Sequence, residues 1–349
     1  WTDGDGVELG TESTLSLSPS VVQPEDVVTC TATVTDDDGA TGVDAVSVTV
    51  DNSAPTAADV VIDPGTDVRT GSLLTCSATV ADADLETLVP VYSWTDDVGV
   101  VLGDAATLQL SASSVQPGSS VTCTVTVTDG YAGTASAFGV VLVENTAPVV
   151  DSVTITPSEE VVQGSVLLCA STASDVDGGL PEITYSWTNG GVEVGTESTL
   201  VVSTDVAVKT DGLTCVATAE DIHGGMAVNT ATVVVENTAP TVASVAIDPA
   251  EGVVTSTVLT CSSEGADVDN DALTPSYVWT DGEGVELGTD SSLSLDPTVV
   301  GPESVVTCTA TQTDDDGATG VDAVSVTVSN TNPVVDSVTI TPDTGVVQG

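Results

Sequence analysis

The sequence predicts an all-β protein made of β-sandwiches in tandem, arranged as beads on a string in a rod. Seven cysteines stand 46 or 47 residues apart, and a tryptophan follows every second one by 18 residues. Between them, apolar residues alternate with threonine at the period of a β-strand. The cysteines are Cys30, Cys76, Cys123, Cys169, Cys215, Cys261 and Cys308.

The double spacing indicates a repeat of about 93 residues with two cysteines and one tryptophan. Aligning the chain on itself gives three complete units at 54–146, 147–238 and 239–331. Residues 1–53 correspond to the C-terminal half of a unit, and residues 332–349 to the first strand of a further one. The sequence therefore predicts a window of a longer repetitive protein.

Each unit has the local pattern of strands and tight turns. Val28, Cys30, Ala32 and Val34 alternate with threonines, and valine and threonine suit a pleated, half-buried surface. Short Gly/Asp clusters separate such runs at intervals of roughly ten residues, which is typical of sandwich turns. We therefore expect about seven strands per unit.

Two kinds of motif resemble a known family. Residues 175–187 read Asp-Val-Asp-Gly-Gly-Leu-Pro-Glu-Ile-Thr-Tyr-Ser-Trp, and residues 35–41 and 313–319 read Thr-Asp-Asp-Asp-Gly-Ala-Thr. Both resemble bacterial immunoglobulin-like and polycystic-kidney-disease-type repeats, which occur in long bacterial surface and secreted proteins. The resemblance extends over the whole chain and implies immunoglobulin-like sandwiches.

In an immunoglobulin-type sandwich a cysteine on the second strand bonds to one on the sixth, and a third-strand tryptophan packs on the bridge. That arrangement implies the disulfides Cys76–Cys123, Cys169–Cys215 and Cys261–Cys308, with Trp94, Trp187 and Trp279 in the cores. Cys30 is left over, and its partner is expected before residue 1.

Charge excludes several functions. Lysine and arginine number 2 against 53 acidic residues, for a net charge of −51. Such a chain is repelled by nucleic acid and by anionic lipid, so we expect neither partner, and no apolar run has the length of a membrane helix. The regular cysteines predict disulfides in an oxidising compartment, extracellular or at the cell surface. The acidity itself suits either a saline habitat or divalent-cation binding.

Carboxylates cluster in two families of loops. Calcium takes six to eight oxygen ligands, and alternating aspartates in a turn bring such oxygens together. The alternative is that these residues are ordinary solvated turn formers. The candidate calcium ligands are Asp82, Asp84, Asp175, Asp177, Asp267, Asp269 and Asp271 before the tryptophan strand, and Asp36, Asp38, Asp314 and Asp316 after the second cysteine, where Glu220 and Asp221 also cluster. A second candidate location is the junction between units, at Glu144-Asn145 and its equivalents.

The predicted function is structural and non-enzymatic, with no required cofactor and calcium as a candidate. The chain is interpreted as a disulfide-stapled, acidic repeat region of a long extracellular fibre, stalk or adhesin. Its expected partners are neighbouring repeats or copies of itself, and a cell-surface or glycan ligand is a further candidate. Two alternatives stay open: a calcium-dependent module that binds a glycan or partner, and a spacer of a secreted enzyme.

Overall fold

The computed structural model describes residues 1–341, 344–345 and 347–348, and there all regular structure is β-strand. The strands before and in the first complete repeat are β1 (Val27–Thr35), β2 (Thr41–Thr49), β3 (Thr56–Asp63), β4 (Leu73–Ala81), β5 (Val91–Thr95), β6 (Val101–Gly103), β7 (Thr107–Gln109), β8 (Ser120–Thr128) and β9 (Thr134–Leu142). The strands that follow are β10 (Val149–Thr156), β11 (Val166–Ser174), β12 (Glu182–Asn189), β13 (Val192–Gly195), β14 (Thr199–Val201), β15 (Gly212–Glu220), β16 (Met226–Val234), β17 (Thr241–Asp248), β18 (Val258–Ala266), β19 (Thr274–Asp281), β20 (Glu286–Gly288), β21 (Ser292–Ser294), β22 (Val305–Thr313) and β23 (Thr319–Thr327).

One topology occurs three times. In the first complete repeat, a three-stranded sheet has the order β3-β4-β7 and a four-stranded sheet the order β6-β5-β8-β9. The same two sheets recur as β10-β11-β14 with β13-β12-β15-β16, and as β17-β18-β21 with β20-β19-β22-β23. The chain is thus all-β and built of tandem immunoglobulin-like sandwiches, as the sequence predicts.

A disulfide and a tryptophan occupy the centre of each sandwich. The disulfides are Cys76–Cys123, Cys169–Cys215 and Cys261–Cys308, and Trp94, Trp187 and Trp279 are completely buried. Each indole N–H donates to a backbone carbonyl at 2.8 or 2.9 Å, so its one polar atom is satisfied.

The alternation in the sequence decides which residues are buried. In β8, Val121, Cys123, Val125 and Val127 are buried, and the threonines between them lie on the outer face. Trp94 lies opposite Cys123 in the register of β5 and β8, which brings the ring against the bridge. The core therefore consists mainly of valine, leucine and isoleucine side chains packed around the disulfide and the indole.

By proximity of their Cα atoms, the residues divide into two compact units. One comprises Trp1–Ser152, Thr172–Ile183 and Thr218–Val228, and the other Val153–Ser171, Thr184–Ala217 and Asn229–Gly349. The core of the middle sandwich, with Trp187 and the Cys169–Cys215 bond, lies wholly in the second unit. The bounds 54–146, 147–238 and 239–331 stay predictions.

The two incomplete repeats differ from the complete ones. In residues 1–53, β1 pairs with β2, and Cys30 is a free thiol. Residues 332–341 have no strand, whereas the equivalent β3 and β17 are held by pairing with the strand that follows each of them. The first strand predicted within 332–349 stays a prediction, and positions 342, 343, 346 and 349 lie outside the described residues.

Candidate cation site at the repeat junctions

Each complete repeat begins with a cluster of aspartates around an asparagine, which we call a junction cluster. The first consists of Asn52, Ser53, Asp82, Asp84, Glu86 and Asp129, the second of Asn145, Thr146, Asp175, Asp177 and Asp221, and the third of Asn237, Thr238, Asp267, Asp269, Asp271 and Asp314. The first two clusters lie in one compact unit and the third in the other.

The loop before the tryptophan strand supplies an Asp-x-Asp turn. In the first cluster, Oδ1 of Asp82 accepts the backbone N–H of Asp84 at 2.7 Å, an Asx turn that fixes the loop. Oδ2 of Asp84 then accepts the backbone N–H of Ser53 at 2.7 Å.

The other two clusters repeat these bonds. Asp175 and Asp267 accept the N–H of Asp177 and Asp269 at 2.7 Å each. Asp177 and Asp269 in turn accept the N–H of Thr146 and Thr238 at 2.6 and 2.7 Å. The second aspartate of each loop therefore ties the loop to the residue after the junction asparagine.

A second bond links the asparagine to the loop after the second cysteine. The amide of Asn52 donates to Oδ2 of Asp129 at 2.9 Å, and Oδ1 of Asp129 accepts the N–H of Tyr131 and Gly133. Asn145 and Asn237 donate in the same way to Asp221 at 2.9 Å and to Asp314 at 2.8 Å.

These donors keep the loop aspartates ionised. The Asn52 amide and the N–H groups of Gly133 and Tyr131 hold the pKa of Asp129 below its ordinary value, against the effect of burial. Burial also opposes ionisation of Asp221 and Asp314, but the asparagine amide and loop N–H groups outweigh it, so the pKa of each is lowered. The lowered pKa values mean that Asp129, Asp221 and Asp314 are carboxylates rather than carboxylic acids at neutral pH.

Several oxygens of the clusters are buried and have no hydrogen-bond donor among the described residues. All of them are acceptors, and buried acceptors normally have a partner. They are Oδ1 of Asn52, Asn145, Asn237, Asp177 and Asp269, Oδ2 of Asp82 and Asp267, and Oε2 of Glu86. Asp177 is the most enclosed of these side chains, at 3% exposed. A set of anionic and amide oxygens without donors fits a hard cation.

Glu86 adds a carboxylate to the first cluster. Oxygens of Asp82, Glu86 and Asp129 lie within 4.8 Å of one another, as do oxygens of Asp267, Asp269 and Asp271 in the third cluster. Burial raises the pKa of Glu86, the N–H of Gly130 lowers it, and the charges of Asp129, Asp82 and Asp84 raise it further, so that the pKa lies above its ordinary value. Glu86 thus lies among negative charges, and none of the ion pairs that the described residues form involves it.

The structure brings most of the predicted ligands together and assigns others to turns. Asp82, Asp84, Asp175, Asp177, Asp267, Asp269, Asp271 and Asp314 all belong to junction clusters. Asp36 instead accepts the N–H of Asp38 and Ala40 in an exposed turn, and Asp316 binds Lys209.

The predicted ligand set omits Glu86 and Asp129, and it mentions the junction asparagines only as a second location. One signal that could have found them is the repeat of fixed separations. The asparagine precedes its aspartate by 77, 76 and 77 residues, and Ser53 and its equivalents precede theirs by 31.

Comparison with known proteins gives only distant likenesses. No protein-family model and no curated protein matches the chain. Among solved structures it resembles the "tetra-tandem repeat in extending region of large adhesion protein" (TM-score 0.29, 18% identity, covering 88% of this chain and 82% of that one).

Two other solved structures resemble this chain with similar TM-scores. One is a Ca2+-stabilized adhesin that "helps an Antarctic bacterium reach out and bind ice" (TM-score 0.30, 17% identity, 87% of this chain and 81% of that one). The other is protocadherin gammaB7 EC3-6 (TM-score 0.34, 13% identity, 86% and 82%). Tandem adhesin and cadherin domains are thus what the chain resembles, and TM-scores below 0.5 give no ground for a conclusion about its site.

No helix among the described residues is long and apolar enough to cross a membrane.

Proposed function

We propose that the chain is a structural repeat region of an extracellular fibre, stalk or adhesin, without enzymatic activity. The observation that supports this is the repetition of one unit three times, with its own disulfide and its own junction cluster each time. A catalytic site is needed once, whereas a property shared by every repeat serves the array as a whole.

The extracellular part of the proposal rests on chemistry. Each sandwich has its core closed by a disulfide, and structural disulfides persist in oxidising compartments. The net charge of −51 keeps copies of the chain apart and favours solubility.

Antibody labelling of the cells that produce the protein would test where the protein is located. An antibody raised against the chain should decorate filaments or the outer surface of the producing cells in immunogold electron microscopy. Cells that lack the gene serve as the control. Labelling confined to the cell interior would contradict the proposal.

We further propose that the junction clusters bind calcium. Each offers three or four carboxylates and an asparagine oxygen, and several of these oxygens are buried without a donor among the described residues. Calcium takes carboxylate, amide, carbonyl and water oxygens in a flexible geometry, so loops from one end of a sandwich suit it. By neutralising the cluster the ion would relieve repulsion that the protein's two basic residues are too few to offset.

Thermal unfolding at low ionic strength tests the calcium proposal. We expect calcium to raise the midpoint above its value in chelator, and above the effect of sodium chloride at equal ionic strength. A ligand at about one hundred times its Kd adds roughly 2.7 kcal/mol to the free energy of unfolding. An identical midpoint with calcium and with chelator would rule the proposal out.

Two substitutions in the same repeat test whether the calcium-induced rise of the midpoint comes from a junction cluster. Asp177→Asn removes the charge of the most enclosed cluster carboxylate and should reduce the calcium-induced shift. Asp205→Asn removes an exposed carboxylate outside the clusters and should leave the shift as in the wild type. Equal shifts in the two variants would place the bound calcium elsewhere.

A further inference from the structure

The third junction cluster holds a cation of its own. Lys209 is the single lysine of the chain, and its Nζ donates to both carboxylate oxygens of Asp271, at 2.6 Å each. Nζ also donates to Oδ2 of Asp316. The side chain of Asp271 is 9% exposed and that of Lys209 27%, so this ion pair is largely withdrawn from water.

Asp271 is also one of the residues whose oxygens make this cluster a candidate cation site. Its carboxylate lies within 4.8 Å of oxygens of Asp267 and Asp269. A dication that used Asp271 would have to displace the ammonium or approach close to it. The ammonium therefore competes with calcium for the same ligand.

The other two clusters have no such cation among the described residues. The position of Asp271, two residues after the second aspartate of the loop, is Glu86 in the first cluster and Gly179 in the second. In the first cluster Glu86 groups with Asp82 and Asp129, and none of the ion pairs that the described residues form involves these three. The first cluster thus has four carboxylates without a cationic partner, the second has three, and the third has one of its four carboxylates paired.

Lys209 is not needed for the turn in which it stands. It lies six residues before the second cysteine of its sandwich, where the other repeats have Pro24, Pro117 and Pro302. A residue with positive φ follows in all four repeats: Glu25, Gly118, Thr210 and Glu303. Since the same turn forms around proline, the lysine side chain adds something other than backbone conformation.

We propose that Lys209 sets the calcium affinity of the third junction cluster, because its ammonium already occupies one of the cluster's carboxylates. The ammonium pairs with Asp271 and Asp316 and offsets one of their two negative charges without calcium, and it lowers the affinity of this cluster for calcium below that of the first. Oxygens of Asn237, Asp267 and Asp269 keep no donor, so the third cluster can still take a dication at higher calcium. This inference rests on the proposed calcium binding and assigns an order to the first and third sites.

Three backbone amides report the three clusters separately. The N–H groups of Ser53, Thr146 and Thr238 each donate to a cluster aspartate, so their NMR signals should shift when calcium binds there. In a calcium titration of the full chain at low salt, Ser53 should respond at lower calcium than Thr238.

Removing the ammonium should bring the response of Thr238 towards that of Ser53. In Lys209→Met the response of Thr238 should move to at least about tenfold lower calcium, because the ligand carboxylate is freed and a unit positive charge is withdrawn from contact with it. Lys209→Pro places the residue of the other repeats at this position and should give the same result. Arg69→Met removes the same charge from an exposed pair with Glu144 and should leave the Thr238 response unchanged.

The outcomes separate this inference from the calcium proposal on which it rests. If Ser53 responds to calcium but Thr238 titrates alike in the wild type, Lys209→Met and Lys209→Pro, the role of Lys209 is refuted and calcium binding stands. If none of the three amides responds in any of these proteins, both are refuted. A response of Thr238 that moves equally in Arg69→Met would show a general effect of charge and would also overturn the role of Lys209.

Discussion

Aspartate has two tasks in this chain, and Asp296 shows the simpler one. Its Oδ1 accepts the backbone N–H of Thr298 at 2.7 Å and the hydroxyl of Thr298 at 2.6 Å. The hydroxyl and the N–H hold the pKa of Asp296 below its ordinary value of 3.8, and burial opposes them. The same position is serine in the other repeats, at Ser18, Ser111 and Ser203, so an uncharged side chain also forms this turn.

The lowered pKa of Asp296 predicts a change in acid stability. A lowered folded-state pKa stabilises the protein above the unfolded-state value, and that contribution is lost as the pH falls through the folded-state value. Asp296→Ser should therefore lower the unfolding midpoint at neutral pH, and the difference from the wild type should shrink as the pH falls below 3.8 and through the folded-state pKa. Denaturant unfolding of both proteins across this range measures the difference. A difference that stays constant with pH would contradict the assignment.

The second task of aspartate is to join distant loops, and here sequence patterns are less informative. The Asp-x-Asp spacing is a local pattern, and its local outcome is the turn in which Oδ1 of Asp82 accepts the backbone N–H of Asp84. It does not indicate that Asn52 bonds to Asp129, because that contact spans 77 residues and exists only once the sandwich is closed. The spacing does not reveal Glu86 for the same reason, since one of its carboxylate neighbours comes from another loop.

At the scale of elements, β2 and β23 have the same sequence in different surroundings. Comparing them separates the effect of local sequence from that of tertiary context. Both read Thr-Gly-Val-Asp-Ala-Val-Ser-Val-Thr, at Thr41–Thr49 and Thr319–Thr327. In β23, Val326 is 7% exposed, whereas the equivalent Val48 in β2 is 57% exposed. The alternation thus predicts a strand correctly in both places. Whether its inner face is buried depends on the opposite sheet, which β23 has in its sandwich and the β1–β2 pair does not.

The identical sequences of these strands make hydrogen exchange an internally controlled test. Their intrinsic exchange rates are equal, so any difference in protection comes from structure. We expect the amides of β2 to exchange more than about tenfold faster than the same amides of β23, because opening a pair of strands exposes less buried surface than opening a sandwich. Residue-resolved NMR distinguishes the two copies. Equal protection would show that β2 is packed as firmly as β23.

For the molecule as a whole, the net charge lowers the stability of the folded state and the disulfide bonds raise it. A net charge of −51 destabilises any compact state through self-repulsion, and salt screens that repulsion over about 8 Å at physiological ionic strength. Three disulfides oppose unfolding by restricting the unfolded chain, each closing a loop of 46 or 47 residues. The cores contain few large side chains beyond one tryptophan each. The restriction of the unfolded chain by the disulfides therefore contributes a larger share of the stability than it would in a protein with a larger core.

The disulfides also predict how the chain responds to pulling. When a sandwich unfolds under force, the residues between its cysteines cannot extend, because the bridge holds their ends together. Reduction should therefore lengthen each unfolding step by about 150 to 170 Å, the extended length of 46 or 47 residues. Single-molecule force spectroscopy with and without reductant measures this increment. In the double variant Cys76→Ala and Cys123→Ala, one step should have the long increment without reductant. Steps of unchanged length after reduction would show that the bridges do not shield these residues, and would remove the mechanical basis for the proposed role in a stalk or fibre.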